Sequence, residues 1–243
     1  MTELNNLTKM MDITSVAADS RLSDIDLICT IAKVYDCAST ITLPCYLSYT
    51  IKNTIGYDQL LHGSTIGFPC GGDLTCTKVY EAKQLALLGA QELDMVMNVG
   101  AFLSGNLKYA KQDISAVIEA VKIPVKVIIE TALLSDAQIA KAAELAAGAG
   151  AAFIKTSTGF YGKPTTVQMI KIIKDAIGDT AKIKAAGGIH SVDTILEMID
   201  AGADRFGLGI LGATTVLREI DQRLERDCIL DNFDLSDTKP TQY

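Results

Sequence analysis

One stretch decides the fold of this chain: Gly148-Ala149-Gly150-Ala151-Ala152-Phe153-Ile154-Lys155-Thr156-Ser157-Thr158-Gly159. Glycines precede a short apolar run, the run ends in a lysine, and hydroxyl residues with a further glycine follow at once. This order is typical of a helix end, a buried strand and a loop. Lys155 therefore stands at a strand end. There it is either a desolvated amine placed for chemistry or a lysine whose amine reaches solvent.

The same order recurs on both sides of this stretch. Gly89-Ala90 leads into the apolar run at residues 92–98, and Gly202-Ala203 leads into residues 204–207. Each time an amphipathic helix ends at a glycine, which we expect to cap the helix with a positive φ. A short strand follows within a few residues. Short strands that alternate with helices predict parallel pairing.

The pattern predicts eight strands, at residues 7–13, 38–43, 61–68, 92–98, 125–129, 151–155, 182–185 and 204–207. It predicts helices at residues 23–35, 46–55, 73–88, 107–121, 136–147, 165–177, 192–201 and 213–224. We expect Ser23 or Asp24 to cap the first of these helices and Asp73 to cap the third.

Units of this kind, about 30 residues each, predict an α/β fold of the (β/α)₈ TIM barrel type, for which about 250 residues are usual. A doubly wound open sheet is the competing architecture, but no G-x-G-x-x-G follows the first strand. We expect one barrel domain at residues 1–230 and a polar tail at residues 231–243, which on composition alone is a frayed end.

Composition excludes several classes of protein. Hydrophobic residues make up 49% and charged residues 21% of the 243 residues, which is globular rather than disordered. The net charge of −7 argues against nucleic acid as a partner, but a small anionic substrate remains open. No apolar run is long enough to span a membrane, and residues 1–11 do not resemble a signal peptide. We therefore expect no membrane partner and a cytoplasmic location.

Metal and thiol chemistry are disfavoured. The six cysteines include no C-x-x-C pair, and a reduced cysteine in such a chain is mostly a small apolar filler. The two histidines, His62 and His190, are far apart in sequence, so we expect neither a cysteine–histidine nucleophile nor a zinc site.

In a TIM barrel the functional residues lie at the carboxyl ends of the strands. The polar residues predicted there are Asp12, Thr14, Asp94, Asn98, Glu130, Thr131, Lys155, Thr156, Ser157, Thr158 and Lys184. Lys155 and Lys184 fall on the sixth and seventh strands, so both should point into the same cavity at the carboxyl end of the barrel.

Two buried lysines and a carboxylate can perform imine chemistry. Burial and a second nearby cation disfavour an ammonium group, and the resulting neutral amine can attack an aldehyde or ketone. The imine draws electrons from the bond beside it, and Asp94 can move the protons. No metal or organic cofactor is required. Alternatives remain open, because Lys184 could reach solvent at a strand end and Asp94 could be a structural ion-pair partner.

At these residues the sequence resembles the deoxyribose-phosphate aldolase family, class I aldolases built on a (β/α)₈ barrel. The resemblance covers residues 8–220. Its strongest segments are Phe153-Ile154-Lys155-Thr156-Ser157-Thr158-Gly159-Phe160, Glu92-Leu93-Asp94-Met95-Val96-Met97-Asn98-Val99-Gly100-Ala101, Lys126-Val127-Ile128-Ile129-Glu130-Thr131, Lys184-Ala185-Ala186-Gly187-Gly188-Ile189 and Ile66-Gly67-Phe68-Pro69.

The resemblance implies a role for each catalytic candidate. Lys155 would form the Schiff base, Lys184 would be the neighbouring cation that keeps it uncharged, and Asp94 would relay protons with water. Thr14 would lie near that relay. In some members a C-terminal tyrosine returns to the site, and this chain ends in Tyr243, so the tail is either a frayed end or part of the site. The implied reaction is reversible cleavage of 2-deoxy-D-ribose 5-phosphate to glyceraldehyde 3-phosphate and acetaldehyde.

The sequence departs from the family pattern mainly where a phosphate would bind. After the last strand the family usually has a hydroxyl-bearing turn, whereas this chain reads Gly207-Leu208-Gly209-Ile210. The loop at residues 160–165 lacks the usual Gly-Gly-Ala-Thr, and residues 41–44 lack the polar Cys-x-Asn-Pro pattern. Backbone N–H groups and one lysine could still hold a phosphate. The candidates are Gly159, Lys163, Gly187, Gly188, Gly207 and Gly209.

The expected partner is a small aldehyde or sugar phosphate. A substrate without a phosphate, or a barrel that only binds, are the alternatives that the missing hydroxyls leave open. The sequence does not give the oligomeric state, and a homodimer is the assembly that we consider.

Overall fold

Eight parallel strands form a closed barrel in the computed structural model, which describes residue 4 and residues 6–233. The strands are β1 (Met11–Ser15), β2 (Ser39–Thr42), β3 (Leu61–Ile66), β4 (Glu92–Val96), β5 (Val125–Ile128), β6 (Phe153–Lys155), β7 (Lys182–Ala186) and β8 (Arg205–Gly209). Each strand pairs with the next, and β8 pairs with β1 in the register Asp12↔Gly207. The predicted (β/α)₈ barrel is therefore confirmed.

Helices cover the outside of the barrel. They are α1 (Leu22–Val34), α2 (Leu47–Asn53), α3 (Thr75–Leu87), α4 (Val99–Leu103), α5 (Leu107–Ala120), α6 (Asp136–Ala147), α7 (Val167–Ile177), α8 (Val192–Asp200) and α9 (Ile210–Arg223). Short 3₁₀ turns occupy Leu7–Met10, Pro44–Tyr46, Thr131–Leu133 and Ile229–Asn232.

The alternation of side chains along each strand separates two buried regions. On β5, Val125 and Val127 belong to the apolar core between the strands and the helices. Lys126, between them, points to the other face and pairs with Asp12 across the barrel. Because successive strand residues face opposite sides, this pattern places a polar layer inside the barrel and the apolar core outside it.

The glycines that link helices to strands adopt the expected conformation. Gly89, Gly150 and Gly202 have φ values of +103°, +96° and +108°. A residue with a Cβ rarely adopts this region, so the predicted positive φ is confirmed. The C-cap residues themselves are Leu88, Gly148 and Ala201, so each of these glycines follows the cap.

The first strand and several helix starts differ from expectation. β1 begins at Met11 rather than at residue 7, because Leu7–Met10 form a 3₁₀ turn. α9 begins at Ile210, directly after Gly209 of β8, rather than at residue 213. α4 was not expected, and the Asn98 side chain caps it by accepting a hydrogen bond from Ala101 N–H. The N-cap of α1 is Arg21, whose N–H donates to Asp24, so neither Ser23 nor Asp24 is the cap.

Asp73 does not cap α3 either, since its N-cap is Leu74, without a side-chain hydrogen bond. Strand β3 ends at Ile66, two residues earlier than predicted, because the left-handed Gly67 (φ +61°) turns the chain there. The topology is unaffected by any of these differences.

The predicted tail falls mostly outside the described part of the chain. Residues 234–243, including Tyr243, are not described, so the boundary between residues 1–230 and 231–243 stays a prediction. Within the described residues, no helix combines the length and apolar character needed to cross a membrane.

Candidate active site

Lys155 is the last residue of β6 and lies at the carboxyl-end mouth of the barrel. It is 5% exposed and helps to line a pocket that Thr14 on β1 and Gly207 on β8 also line. Of the two placements allowed by sequence, the desolvated amine is the one observed.

Lys155 and Lys184 share one carboxylate oxygen. Lys155 Nζ donates to Asp94 Oδ2 at 2.7 Å, and Lys184 Nζ donates to the same oxygen at 2.8 Å. The two lysines are register partners on β6 and β7. Asp94 and Lys184 are wholly buried, so Lys155 is the member of the trio that the pocket reaches. The structure therefore brings together the three residues expected from sequence.

Asp12 joins this trio to a wider interior network. Its Oδ2 lies 2.5 Å from Lys184 Nζ and 2.9 Å from Lys126 Nζ, and its Oδ1 accepts from Arg205 at 2.8 Å. Two residues of β1 thus have separate placements, since Asp12 belongs to the network while Thr14 faces the pocket.

Sequence reasoning missed three members of the network. Lys126 on β5 is fully buried and pairs with Asp12 and Glu92, and Arg205 lies within 4.0 Å of Glu92. These residues stand near the starts of their strands, where a charged residue usually marks a solvent-facing end. The alternation Lys126-Val127-Ile128 was the available signal, because it gives Lys126 the inward face of β5 if the sheet closes.

The network holds more basic than acidic groups. Its basic members are Lys126, Lys155, Lys184 and Arg205, and its acidic members are Asp12, Glu92 and Asp94. Four cations against three carboxylates leave one positive charge in excess if every group is ionised. Since unpaired buried charge is costly, this composition favours a neutral amine at one lysine.

The pKa of Lys184 is the one that burial lowers most clearly. Burial lowers it to about 8, although Asp12 and Asp94 act in the opposite direction. Burial also opposes ionisation of Asp12 and Asp94, but the surrounding cations outweigh it and hold both pKa values below the ordinary range. For Lys126, three carboxylates outweigh burial and raise the pKa. Lys184 is thus the ammonium that loses its proton near physiological pH, while both carboxylates stay charged.

The loop after Lys155 is tied to the strands on either side. Glu130, in a left-handed conformation with φ 58°, accepts from Thr158 N–H at 3.1 Å and from the Thr158 hydroxyl at 2.5 Å. The Thr131 and Ser157 hydroxyls are 3.0 Å apart. On the other side, the Thr156 hydroxyl donates to Ala186 O at 2.9 Å. These contacts fix the wall of the pocket beside Lys155.

The proposed phosphate-binding residues are divided between two adjoining surfaces. Lys163 is exposed and lines a neighbouring groove with Pro164 and His190 rather than the pocket of Lys155. The remaining candidates line the pocket itself, namely Gly159, Gly187, Gly188, Gly207 and Gly209. Leu208 also lines it, but its side chain is part of the buried core.

Comparison with known proteins identifies consistent relatives. A family model described as DeoC/LacD family aldolase matches residues 11–218, which include the whole ion-pair network. The deoxyribose-phosphate aldolase of Staphylococcus epidermidis is 42% identical over 203 residues, covering 83% of this chain and 92% of that protein. The deoxyribose-phosphate aldolase of Klebsiella pneumoniae is 36% identical over 225 residues, covering 91% and 90%.

A solved structure is similar as well. The tetrameric deoxyribose phosphate aldolase from Aeropyrum pernix has a TM-score of 0.79 and 27% sequence identity, covering 89% of this chain and 91% of that chain.

Proposed function

The chain belongs to the DeoC/LacD family of aldolases, which makes it a carbon–carbon lyase, and we propose that it reversibly cleaves 2-deoxy-D-ribose 5-phosphate to glyceraldehyde 3-phosphate and acetaldehyde. The observation that carries this proposal is the shared Asp94 Oδ2, which holds the Lys155 and Lys184 amines at 2.7 and 2.8 Å. Two amines on one carboxylate, with only Lys155 open to the pocket, suit imine formation at a single lysine.

The reaction begins at the aldehyde carbon C1 of the sugar. Lys155 Nζ adds to C1, and loss of water gives the imine. The C3 hydroxyl then loses its proton, the C2–C3 bond breaks, and its electron pair forms the enamine of acetaldehyde as glyceraldehyde 3-phosphate leaves. C2 takes up a proton, and water hydrolyses the imine to acetaldehyde and free Lys155. No electrons are gained or lost overall.

The buried residues have distinct roles in these steps. Asp94 and Lys184 exchange protons with the reacting groups, because Asp94 Oδ2 accepts a hydrogen bond from Lys184 and another from Lys155. At neutral pH Lys184 is mostly protonated, since its pKa is lowered only to about 8. The protonated Lys184 can therefore supply a proton to the reacting groups. Thr14 faces the pocket, where its hydroxyl can contact the substrate.

The phosphate would occupy the glycine-lined wall of the pocket. Gly187, Gly188, Gly207 and Gly209 line that wall, and Gly209 is the N-cap of α9. Free backbone N–H groups at a helix start attract anions. Lys163, in the adjoining groove, would add a positive charge from the side.

A second candidate substrate is the unphosphorylated sugar or another aldehyde. It is favoured by the sequence Gly207-Leu208-Gly209-Ile210, which offers no hydroxyl to a phosphate. Measuring kcat/KM for 2-deoxyribose with and without the 5-phosphate separates the two candidates. We expect the phosphorylated sugar to be preferred at least about tenfold, because even one good anion contact is worth about 1.4 kcal/mol. Equal values would contradict the phosphate assignment.

The assembly and location are proposals of the same kind. The aldolase family of this chain acts on small molecules, and one relative is described as a tetramer. We propose that this chain forms at least a homodimer and works in the cytoplasm. A solution mass from light scattering tests the first statement, and cell fractionation tests the second.

A further inference from the structure

Four buried side-chain oxygens have no hydrogen-bond partner within the described part of the chain. They are Ser39 Oγ, Thr42 Oγ1, Thr65 Oγ1 and Asp94 Oδ1. Buried polar atoms in proteins nearly always have a partner, either a protein group or an ordered water. Asp94 is the carboxylate of the active site, so its second oxygen is the member of this set with a chemical consequence.

Thr65 is the neighbour of Asp94 on the adjoining strand. The two residues are register partners of β3 and β4. Two residues earlier on β3, a Cβ at Gly63 would collide with the Ile41 and Glu92 side chains, of which Ile41 lines the pocket. Because residues two apart on a strand face the same side, Thr65 points into the barrel with Gly63. Thr65 is 1% exposed and Asp94 is 0% exposed.

The spacing of the two residues suits a bridging molecule. Paired residues on neighbouring strands lie about 4.8 Å apart, and the two oxygens do not bond directly. A water between two unpartnered oxygens on neighbouring strands can bond to both, and a buried water usually makes about three hydrogen bonds. The third partner would be Lys126. Its Nζ lies 3.5 Å from Asp94 Oδ1 and uses only two of its three N–H donors, on Asp12 and Glu92.

We propose that Thr65 and Asp94 hold one buried water molecule behind the active-site carboxylate, and that Thr65 is a positioning residue for the aldol reaction. The water donates to Asp94 Oδ1 and accepts from Lys126 or from the Thr65 hydroxyl. It thereby fixes the plane of the carboxylate, so that Oδ2 stays between Lys155 and Lys184. Thr65 does not touch the substrate, because it is not part of the pocket wall.

Thr42 carries another of the unpartnered hydroxyls, but it lies on the opposite face of the sheet from Thr65. Thr42 follows Ile41, which faces the pocket, so Thr42 points to the outside of β2 and away from the network. It is the same residue type, equally buried and equally unpartnered. Thr42→Val is therefore a matched control for Thr65→Val, which removes the hydroxyl at nearly constant volume.

The test compares steady-state rates of Thr65→Val, Thr65→Ser and Thr42→Val with 2-deoxyribose 5-phosphate. We expect Thr65→Val to lower kcat about tenfold with KM changed less than about twofold, which is the scale of one lost hydrogen bond in a buried network. Thr65→Ser should restore kcat, and Thr42→Val should retain it. A Thr65→Val enzyme with the kcat of Thr42→Val would overturn the positioning role.

The kinetic part of the inference rests on the proposed function, and a second measurement keeps the two separable. Wild-type protein that gives no borohydride-trapped Lys155 adduct defeats the proposed function, whatever Thr65 does. A crystal structure of the wild type reports on the water independently. An ordered water within hydrogen-bonding distance of Thr65 Oγ1 and Asp94 Oδ1 supports the site, and its absence at a resolution that shows other buried waters overturns it.

Discussion

The chemistry of this site depends on which of two lysines meets the pocket. Lys155 and Lys184 bind the same oxygen of Asp94, yet only Lys155 lines the pocket, while Lys184 is closed in by Asp12 and Asp94. In the proposed mechanism, the nucleophile and the proton-carrying lysine thus differ in their access to the pocket and not in their hydrogen-bond partner.

Replacement of Lys184 tests this separation. We expect Lys184→Leu to fold, because Lys126, Arg205 and Lys155 still neutralise the two aspartates. Imine formation should slow by at least about 100-fold, the usual scale of a lost acid–base group. Rapid-quench borohydride trapping measures the rate. Lys182→Leu, two residues earlier and exposed, is the control and should retain it. A wild-type trapping rate in Lys184→Leu would contradict the role assigned to Lys184.

The pH dependence of kcat should show the loss of a proton from Lys184. Its pKa is lowered by burial to about 8, so the ammonium is present below pH 8 and is lost as the pH rises through that value. Because the protonated Lys184 supplies a proton in the proposed mechanism, we expect kcat to fall above about pH 8. The residual kcat of Lys184→Leu should not show this fall above about pH 8. A kcat that stays constant up to pH 10 in the wild type would count against the assignment.

At the residue scale, sequence identified four of the seven network residues and missed the other three. Lys155, Lys184 and Asp94 were predictable because each sits in an apolar run that ends in a polar loop. Lys126 and Arg205 were not, because a lysine or arginine near a strand start is ordinarily solvated. Their burial is stabilised by carboxylates on distant strands, and sequence spacing does not show such pairs.

At the scale of strands, β7 and β8 must approach closely to bury Lys184. A Cβ at Gly207 would lie 3.0 Å from Ala186 Cβ and 3.1 Å from Lys184 Cε. Glycine at this position leaves room for the Lys184 stem inside the barrel. The same residue lines the pocket, so one glycine serves both the packing of the strands and the shape of the site.

Gly207→Ala should therefore displace Lys184. We expect a loss of about 1–3 kcal/mol in the free energy of unfolding, which is typical of overpacking in a tight interior. We also expect at least about a tenfold loss of kcat, since small misplacements of catalytic groups are costly. Urea unfolding and steady-state rates measure the two effects. Gly72→Ala is the control, because no atom lies within 4 Å of a Cβ there. Equal behaviour of the two variants would contradict this account of β8.

Element boundaries were predictable only where the sequence carries a local signal. The glycine-ended helices were placed correctly because positive φ excludes most other residues. The start of α9 was placed three residues late, because Gly209 and Ile210 carry no capping side chain. α4 is only five residues long, and the sequence places its cap, Asn98, among the polar residues at the strand ends.

At the scale of the whole molecule, closure of the barrel creates the charge network. Arg205 and Asp12 are 193 positions apart in sequence, and the pairing of β8 with β1 brings them to 2.8 Å. Sequence predicted the closed barrel, but the partners across it follow from register, which hydrophobic patterning alone does not define.

This network should govern acid stability. The pKa values of Asp12 and Asp94 are lowered by their cations, so their stabilisation is complete above about pH 4 and is lost as the pH falls further. We expect Asp12→Asn to cost about 3–5 kcal/mol at pH 7, because it leaves buried cations without a partner. Asp12→Asn should also reduce the loss of stability that the protein shows below pH 4. The exposed Asp179→Asn is the control and should change neither quantity appreciably. Urea unfolding at several pH values measures both, and an unchanged stability in Asp12→Asn would contradict the role of the network.

The central claim is that Lys155 forms the imine. Borohydride reduction of the protein in the presence of acetaldehyde, followed by peptide mass spectrometry, tests it directly. The account predicts a reduced two-carbon adduct on Lys155, complete loss of this adduct in Lys155→Leu, and its retention in the control Lys163→Leu, whose lysine lies in the adjoining groove. Wild-type protein with no adduct on the Lys155 peptide, or with the adduct on another lysine, would contradict it.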